Sequence, residues 1–260
     1  MDFSSSFYEH LRQTQGERLA FKKDGTDQII HGTTIVAVAF TGGVVMAGDR
    51  RATMGNYVAQ NDIEKVFPAD DFSAIGIAGS AGIAIELVKL FQVELEHYEK
   101  IEGMPLSVEG KANRLSVLLR GNLGLAMEGL AALPLYAAYD KNRNSGRVFS
   151  YDITGGRYEE HDYFAVGSGS LFARASLKKM FEPIEDSNFA IQIALEAIYD
   201  AAEEDSATAG PDMARNIYPV VVKVDSQGFE KISQEALANI LTKILKGRKN
   251  RPDGPIARHS

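Results

Sequence analysis

The chain has 260 residues, of which 45% are hydrophobic and 24% are charged, a composition typical of a globular protein with one sizeable core. Its net charge of -7 argues against a nucleic-acid-binding domain, which carries a basic excess. The absence of cysteine excludes disulfides, thiolate metal sites and cysteine nucleophiles.

Residues 1–32 are polar and show no sustained hydrophobic period, which predicts a weakly ordered leader. Its first residues lack the basic and apolar regions of a secretory signal. The longest weakly polar stretch, residues 73–88, contains glycines and Glu86 and falls short of the roughly 18 to 20 apolar residues of a membrane span. We therefore expect a cytoplasmic protein with no membrane or nucleic-acid partner.

The first strands are predicted to begin at Thr33. TTIVAVAF and VVMAGDRR are rich in β-branched residues and are separated by a Thr-Gly-Gly turn, which predicts two buried strands in a hairpin. Further short strands are predicted at 63–67 and 72–78.

Two helices are predicted next. Apolar residues recur with a period near 3.6 as far as Tyr98, with Ser80 as the expected N-cap and Gly103 as the stop. The second helix is predicted over residues 107–130. The pair forms a helical hairpin.

The remaining elements predict the fold class. They are strands at 134–139, 147–152 and 163–166, helices at 170–180 and 188–203, a strand at 217–224 and a helix at 233–245. Strands and helices come in groups without regular βαβ alternation, which predicts an α+β fold with largely antiparallel sheets. We expect a four-layer α-β-β-α sandwich over residues 33–245. The basic residues 246–260 are predicted to form a flexible C-terminal tail.

The segment Gly32-Thr33-Thr34 is the candidate for chemistry. The sequence has no nucleophile elbow, phosphate-binding loop or dinucleotide-binding glycine motif, and its five histidines show no metal-ligand spacing, so neither a metal nor a cofactor is expected. A threonine that begins a chain has its own α-amine, with a pKa of about 7.7 to 8, as a built-in base. Cleavage after Gly32 would create that base. In isolation, two threonines at a strand start ordinarily reflect β propensity alone.

From Thr33 to about Leu245 the sequence resembles the proteasome β-subunit family, most closely its actinobacterial form. The matching segments are HGTTIVAV, GDRRATMGN, DIEKV, GIAGSAG, VGSGS and DSATAGPD. The resemblance implies an N-terminal-nucleophile hydrolase fold and the catalytic β subunit of a bacterial core particle. It implies a threonine endopeptidase that removes its own leader between Gly32 and Thr33 and degrades unfolded proteins in a ring-enclosed chamber.

Carried over by position, the resemblance makes Thr33 the nucleophile, Asp49 and Lys65 the charged pair beneath it, and the Gly79 amide the oxyanion donor. A buried ammonium near the threonine oxygen favours the alkoxide, and Asp49 offsets the cost of burying Lys65. Taken singly, Asp49, Lys65 and Gly79 are more typical of a strand-end charge cluster, a solvated lysine and a strand-to-helix turn, and it is their joint spacing from Thr33 that favours the site.

Ser168, Asp205 and Thr208 are implied to surround the new amino terminus. Taken singly, Ser168 also fits a helix cap and Asp205 a helix end. The chain departs from the family at Thr208, where serine is frequent, at Ala209, where glycine is frequent, and at Ile83, where many members are acidic. These departures concern the surroundings of the nucleophile.

The same correspondence implies an uncharged pocket for the substrate side chain before the cut, lined by Ala52, Ile63, Phe67, Ile77, Ala81 and Ile85. Thr53 and Gly79 are implied to bind the substrate backbone as an added strand. An apolar pocket favours an apolar side chain and offers no counter-ion, so we predict cleavage after large apolar residues.

The resemblance implies stacked seven-membered rings, with two β rings between two α rings. It implies α-subunit partners, an ATPase unfoldase acting through the α ring, and substrates that are unfolded or carry a small protein tag. Three alternatives remain open: the simpler two-ring bacterial threonine protease, a catalytically silent ring subunit, and an amidase acting on small amides. The extra helix, strand and tail disfavour the two-ring protease. The complete set of site residues disfavours a silent subunit, and the matching segments disfavour an amidase.

Overall fold

The computed structural model describes residues 32–54 and 57–254. The leader predicted for residues 1–32 lies outside the described residues except for Gly32, as does the end of the predicted tail, residues 255–260. The described part contains twelve strands and six helices.

Ten strands form two five-stranded sheets in which all neighbouring strands are antiparallel. The first sheet contains, in spatial order, β10 (Tyr163–Gly167), β1 (Thr34–Phe40), β2 (Gly43–Gly48), β11 (Val220–Asp225) and β12 (Gly228–Lys231). The second contains β5 (Val66–Asp70), β6 (Ser73–Gly79), β7 (Ala132–Asp140), β8 (Ser145–Tyr151) and β9 (Arg157–Glu160). A separate hairpin pairs β3 (Ala52–Met54) with β4 (Tyr57–Gln60).

The helices cover the outer faces of the two sheets. They are α1 (Ala81–Glu102), α2 (Val108–Gly121), α3 (Leu123–Met127), α4 (Ser170–Met180), α5 (Ser187–Glu204) and α6 (Gln234–Asn250). Helices α1 and α2 share an apolar cluster with the second sheet, and α4, α5 and α6 share one with the first. A third cluster lies between the sheets. The predicted four-layer α-β-β-α sandwich is therefore confirmed.

Strand β1 shows why its sequence is continuously apolar. Ile35 and Ala37 pack between the two sheets, whereas Val36 and Val38 pack against the helices beyond the first sheet. Successive side chains of a strand point to opposite faces, so a strand covered on both faces needs apolar residues throughout.

Among the described helices, none has the length and hydrophobicity that crossing a bilayer requires.

Helix α1 ends where predicted, because Gly103 adopts φ +70°, a left-handed conformation that glycine allows. Ser80 occupies its N-cap position.

Some predicted boundaries were wrong. The helix predicted over 107–130 is two helices, because Gly121 and Asn122, both weak helix formers, interrupt it. The short strands β3, β4, β9 and β12 were not predicted, since each has only three or four residues, too few to show a hydrophobic period.

The last helix continues five residues beyond the predicted boundary at Leu245 and ends at Asn250. Arg248, predicted to lie in the solvated tail, is only 6% exposed and forms ion pairs with Glu196 at 3.2 Å and Asp200 at 2.7 Å. These partners on α5 hold the end of α6 against the core.

Candidate active site

Thr33 is buried immediately before β1 and is held by the segment that follows β10. Its amide donates to Ser168 Oγ at 3.3 Å, and its carbonyl oxygen accepts from the Ser168 amide at 2.9 Å. Gly167 adopts φ +103°, and a Cβ at that position would lie 1.9 Å from the Thr33 carbonyl oxygen. Only glycine permits this close approach.

Asp49, at the end of β2, is completely buried and accepts four hydrogen bonds. Oδ1 accepts from Lys65 Nζ at 2.7 Å and the Thr34 amide at 2.9 Å. Oδ2 accepts from the amides of Arg51 at 2.9 Å and Ala209 at 3.1 Å. These four donors satisfy both oxygens of the buried carboxylate.

Lys65, just before β5, is 6% exposed, so the alternative of a solvated lysine is wrong. Its ammonium also donates to the carbonyl oxygens of Arg51 at 2.5 Å and Gly32 at 3.1 Å. The Thr33 hydroxyl donates to the same Gly32 oxygen at 2.8 Å. Burial lowers the pKa of Lys65, and Asp49 opposes that shift.

Asp205, which ends α5, joins two hydroxyl groups behind Thr33. Its Oδ2 accepts from Ser168 Oγ at 2.5 Å and from Thr208 Oγ1 at 2.6 Å. Thr208 Oγ1 also lies 2.6 Å from Thr34 Oγ1. The N-cap of α4 is Gly169 rather than Ser168, so the helix-cap alternative for Ser168 is wrong, whereas Asp205 does end its helix.

The departures from the family pattern leave these contacts in place. The Thr208 hydroxyl still joins the network, and Ala209 contributes its amide to Asp49. Ile83 lines an apolar groove between α1 and α3 rather than the cavity at Thr33.

A small cavity opens beside Thr33. Its lining includes all six predicted pocket residues: Ala52, Ile63, Phe67, Ile77, Ala81 and Ile85. Gly79 also lines it, with φ +118°, and a Cβ there would lie 2.2 Å from the Ala131 carbonyl oxygen. Thr53 accepts a hydrogen bond from the Gly32 amide at 3.1 Å.

Sequence reasoning missed two residues of this lining, Ala84 and Glu64. The expectation of an entirely uncharged lining was therefore wrong. Glu64 is 43% exposed and forms an ion pair with Lys231 of β12 at 2.5 Å. No sequence pattern signals this contact, because it joins residues far apart along the chain.

No group of acidic residues and histidines within the described ranges is arranged to hold a metal ion. Two sheets between helical layers, with a buried threonine beginning a central strand and a lysine beside it, define the class of N-terminal-nucleophile hydrolases.

Comparison with known proteins identifies the family within this class. The proteasome subunit family matches residues 29–213. A proteasome subunit beta of Acidothermus cellulolyticus is 57% identical over 234 residues, which cover 88% of this chain and 81% of that protein. A proteasome subunit beta of Streptomyces griseus is 52% identical over 259 residues, which cover 98% of this chain and 92% of that protein. The chain belongs to the proteasome subunit family.

The predicted resemblance to the actinobacterial β type is confirmed by these relatives. The chain is thus a catalytic β-type member, a threonine endopeptidase that assembles with other subunits into a proteasome core.

Proposed function

We propose that Thr33 is the nucleophile of this endopeptidase and that Lys65 tunes it. One observation carries the proposal: the Thr33 hydroxyl and the Lys65 ammonium both donate to the carbonyl oxygen of Gly32. That carbonyl belongs to the peptide bond ahead of Thr33.

The same arrangement supports autocatalytic removal of the leader, residues 1–32. The Thr33 oxygen attacks the Gly32 carbonyl carbon, its proton passes to the departing Thr33 nitrogen, and water then hydrolyses the resulting ester. A Cβ on Gly32 would lie 1.8 Å from the Ala207 Cβ, so only glycine fits at this position. Thr53 holds the Gly32 amide, which fits a backbone bound like an added strand.

In the processed chain, the α-amine of Thr33 accepts the hydroxyl proton while the oxygen attacks a substrate carbonyl. The amine then returns a proton to the leaving nitrogen, and water hydrolyses the acyl-enzyme. Ser168, Asp205 and Thr208 are proposed to orient that amine, and the Gly79 amide to donate to the oxyanion. Loss of one such donor typically costs roughly 100- to 1,000-fold in rate.

The pocket residues are proposed to select large apolar side chains. Seven of the lining side chains are apolar, and the Glu64 carboxylate is paired with Lys231 and partly exposed. Burying a leucine-sized side chain is worth about 1.5 to 3 kcal/mol, and the pocket leaves a basic substrate side chain without a free counter-ion.

We further propose that the chain forms seven-membered rings, two β rings stacked between two α rings. An ATPase unfoldase would feed unfolded or tagged substrates through the α ring, and its need for ATP fits a cytoplasmic particle. This organisation rests on family membership rather than on contacts within one chain.

The nucleophile is tested with Thr33→Ala, compared with Thr242→Ala on α6, whose hydroxyl donates to the Ala238 carbonyl. Intact mass and peptide hydrolysis are measured on assembled particles. We expect Thr33→Ala to retain residues 1–32 and to lose at least about 10,000-fold in rate. Thr242→Ala matches the wild type. Peptide hydrolysis by Thr33→Ala would refute the proposal.

Specificity is tested by kcat/KM for peptides that differ only in the residue before the cut. We expect leucine and phenylalanine to exceed arginine and glutamate by about 10- to 100-fold, the rate equivalent of the burial energy. A preference for arginine or glutamate would contradict the proposed pocket.

A further inference from the structure

Arg51, in the link between β2 and β3, contacts both members of the buried ion pair through its backbone. Its amide donates to Asp49 Oδ2 at 2.9 Å, and its carbonyl oxygen accepts from Lys65 Nζ at 2.5 Å. A shift of this backbone therefore moves a ligand of the carboxylate and a ligand of the ammonium together.

The side chain of Arg51 reaches a different part of the site, the segment 205–209 that follows α5. Its NH1 donates to the carbonyl oxygens of Ser206 at 2.9 Å and Thr208 at 3.3 Å. Both bonds leave the same nitrogen, whose position is fixed by the planar guanidinium that carries it.

The segment held in this way contacts the reacting groups. Thr208 donates its hydroxyl hydrogen bond to Asp205, and the Ala209 amide donates to Asp49. Ala207, between the two clamped carbonyls, packs so closely on Gly32 that no Cβ fits there.

Arg51 Nε is buried and has no hydrogen-bond partner among the described residues. The neighbouring Arg50 Nε is also buried without a partner in the described part of the chain, so it is the contacts of Arg51 NH1 that distinguish the two side chains.

We propose that Arg51 is a positioning residue that clamps segment 205–209 onto the Asp49–Lys65 pair and contributes a positive charge to the environment of Thr33. This inference rests on the proposed roles of Thr33 and Lys65. The neighbouring Arg50 differs, because its guanidinium donates to the Asp62 carbonyl at 2.6 Å.

The charge contribution has a defined sign. Burial is the main cause that lowers the pKa of Lys65, and the positive charge of Arg51 lowers it further, while Asp49 and Asp205 raise it. Glu64 and Lys231 at the cavity face each other as an ion pair. Removing the Arg51 charge therefore raises the pKa of Lys65, and the same repulsion acts on any amine placed beside it.

The test compares Arg51→Met, which removes charge and clamp, with Arg51→Lys, which keeps the charge but replaces the planar guanidinium. Arg215→Met is the control, because Arg215 lines a cavity with Arg51 but bonds to Asp212. Assembled particles are assayed for kcat/KM across pH, with leader removal followed by intact mass.

We expect Arg51→Met to reduce kcat/KM about 10- to 100-fold at neutral pH. The acid limb of its pH profile moves upward by about half a unit to one unit, because the base then needs a higher pH to lose its proton. Arg51→Lys loses less than about tenfold and keeps the limb in place. Arg215→Met stays within about twofold.

Hydrogen exchange provides a second measurement if Arg51→Met does not assemble. Peptides covering 205–209 should exchange faster in Arg51→Lys particles, while those covering the β7–β8 hairpin stay unchanged. An unmoved acid limb in Arg51→Met, or unchanged exchange in Arg51→Lys, overturns the inference. If Thr33→Ala is inactive while both Arg51 variants match the wild type, the inference alone fails; an active Thr33→Ala defeats the proposed nucleophile itself.

Discussion

Lys65 and Arg147 are both buried cations, with side chains only 6% and 4% exposed, but their surroundings differ. Among the residues that the structure describes, Lys65 has one carboxylate partner, and burial lowers its pKa. Arg147 donates hydrogen bonds to three carboxylates. The bond to Glu159 first, and then those to Glu109 and Asp140, raise the pKa of Arg147 against the effect of burial.

The two cations lie at opposite ends of the second sheet. Gly79, beside the Lys65 site, pairs with Ala132 at the start of β7, whereas the Arg147 cluster is at the other end of that strand. Arg147 links β8 to α2, β7 and β9 through its carboxylate partners. A cation surrounded by carboxylates joins elements of the scaffold, whereas one with a single carboxylate has donors left for a reacting oxygen.

Lys65→Met should produce the largest effect, a loss of at least about 1,000-fold in kcat/KM. Asp49 keeps three backbone N–H donors, so the particle still assembles. Peptide hydrolysis by particles isolated by size exclusion measures the loss. More than a tenth of wild-type activity in Lys65→Met would contradict the reactive role that distinguishes Lys65 from Arg147.

Arg147→Met should lower stability and leave activity nearly unchanged. It leaves three carboxylates without their cation, and we expect the free energy of unfolding to fall by about 2 to 3 kcal/mol, after allowance for the partial exposure of Glu109 and Glu159. Activity per assembled particle stays within about twofold. Chemical denaturation and peptide hydrolysis measure the two quantities.

Arg143→Met is the matched control on the same hairpin. Arg143 is 56% exposed and its ion pairs are 3.5 to 3.8 Å long, so its removal should cost less than about 0.5 kcal/mol. Equal losses of stability for the Arg143 and Arg147 variants would contradict a structural role specific to the buried cation.

The smallest effect is the pH dependence of stability. Hydrogen bonds from Arg147 hold the pKa of Glu109 and Glu159 below their usual 4.5. Their contribution is present above the usual pKa and is lost as pH falls through the lower folded pKa. Arg147→Met removes this contribution, so its deficit relative to the wild type should shrink below about pH 4.5.

For Lys65 the sign is opposite. Its lowered pKa means that the fold favours the neutral form, so its contribution to stability improves as pH rises through the lowered value. Lys65→Met should therefore leave the acid dependence of unfolding unchanged, which denaturation at a series of pH values measures. If the loss of unfolding free energy in Arg147→Met instead grew as the pH fell, the stabilising role assigned to the Arg147 carboxylate pairs would be contradicted.

The sequence predicted the strands and helices with strong hydrophobic periods, together with the stop of α1 at Gly103 and the importance of the Gly32–Thr33 junction. These features depend on local chemistry: β-branched runs, turn glycines and a threonine next to a leader. The pocket residues were also predicted, because their spacing follows the family pattern.

The remaining features depend on contacts between distant segments. The interruption between α2 and α3 was missed because apolar residues continue on both sides of Asn122. The ion pair of Glu64 with Lys231 and the clamp of Arg51 on Ser206 have no local signature.

By itself, the sequence determined the order of the elements, the two-sided burial of β1 and the residue types available for chemistry. Only the tertiary structure decided that one buried cation is left with a single carboxylate next to Thr33 while another is surrounded by three. The reason is that a pKa depends on burial and on nearby charges in space, and folding brings those charges from segments far apart in the chain.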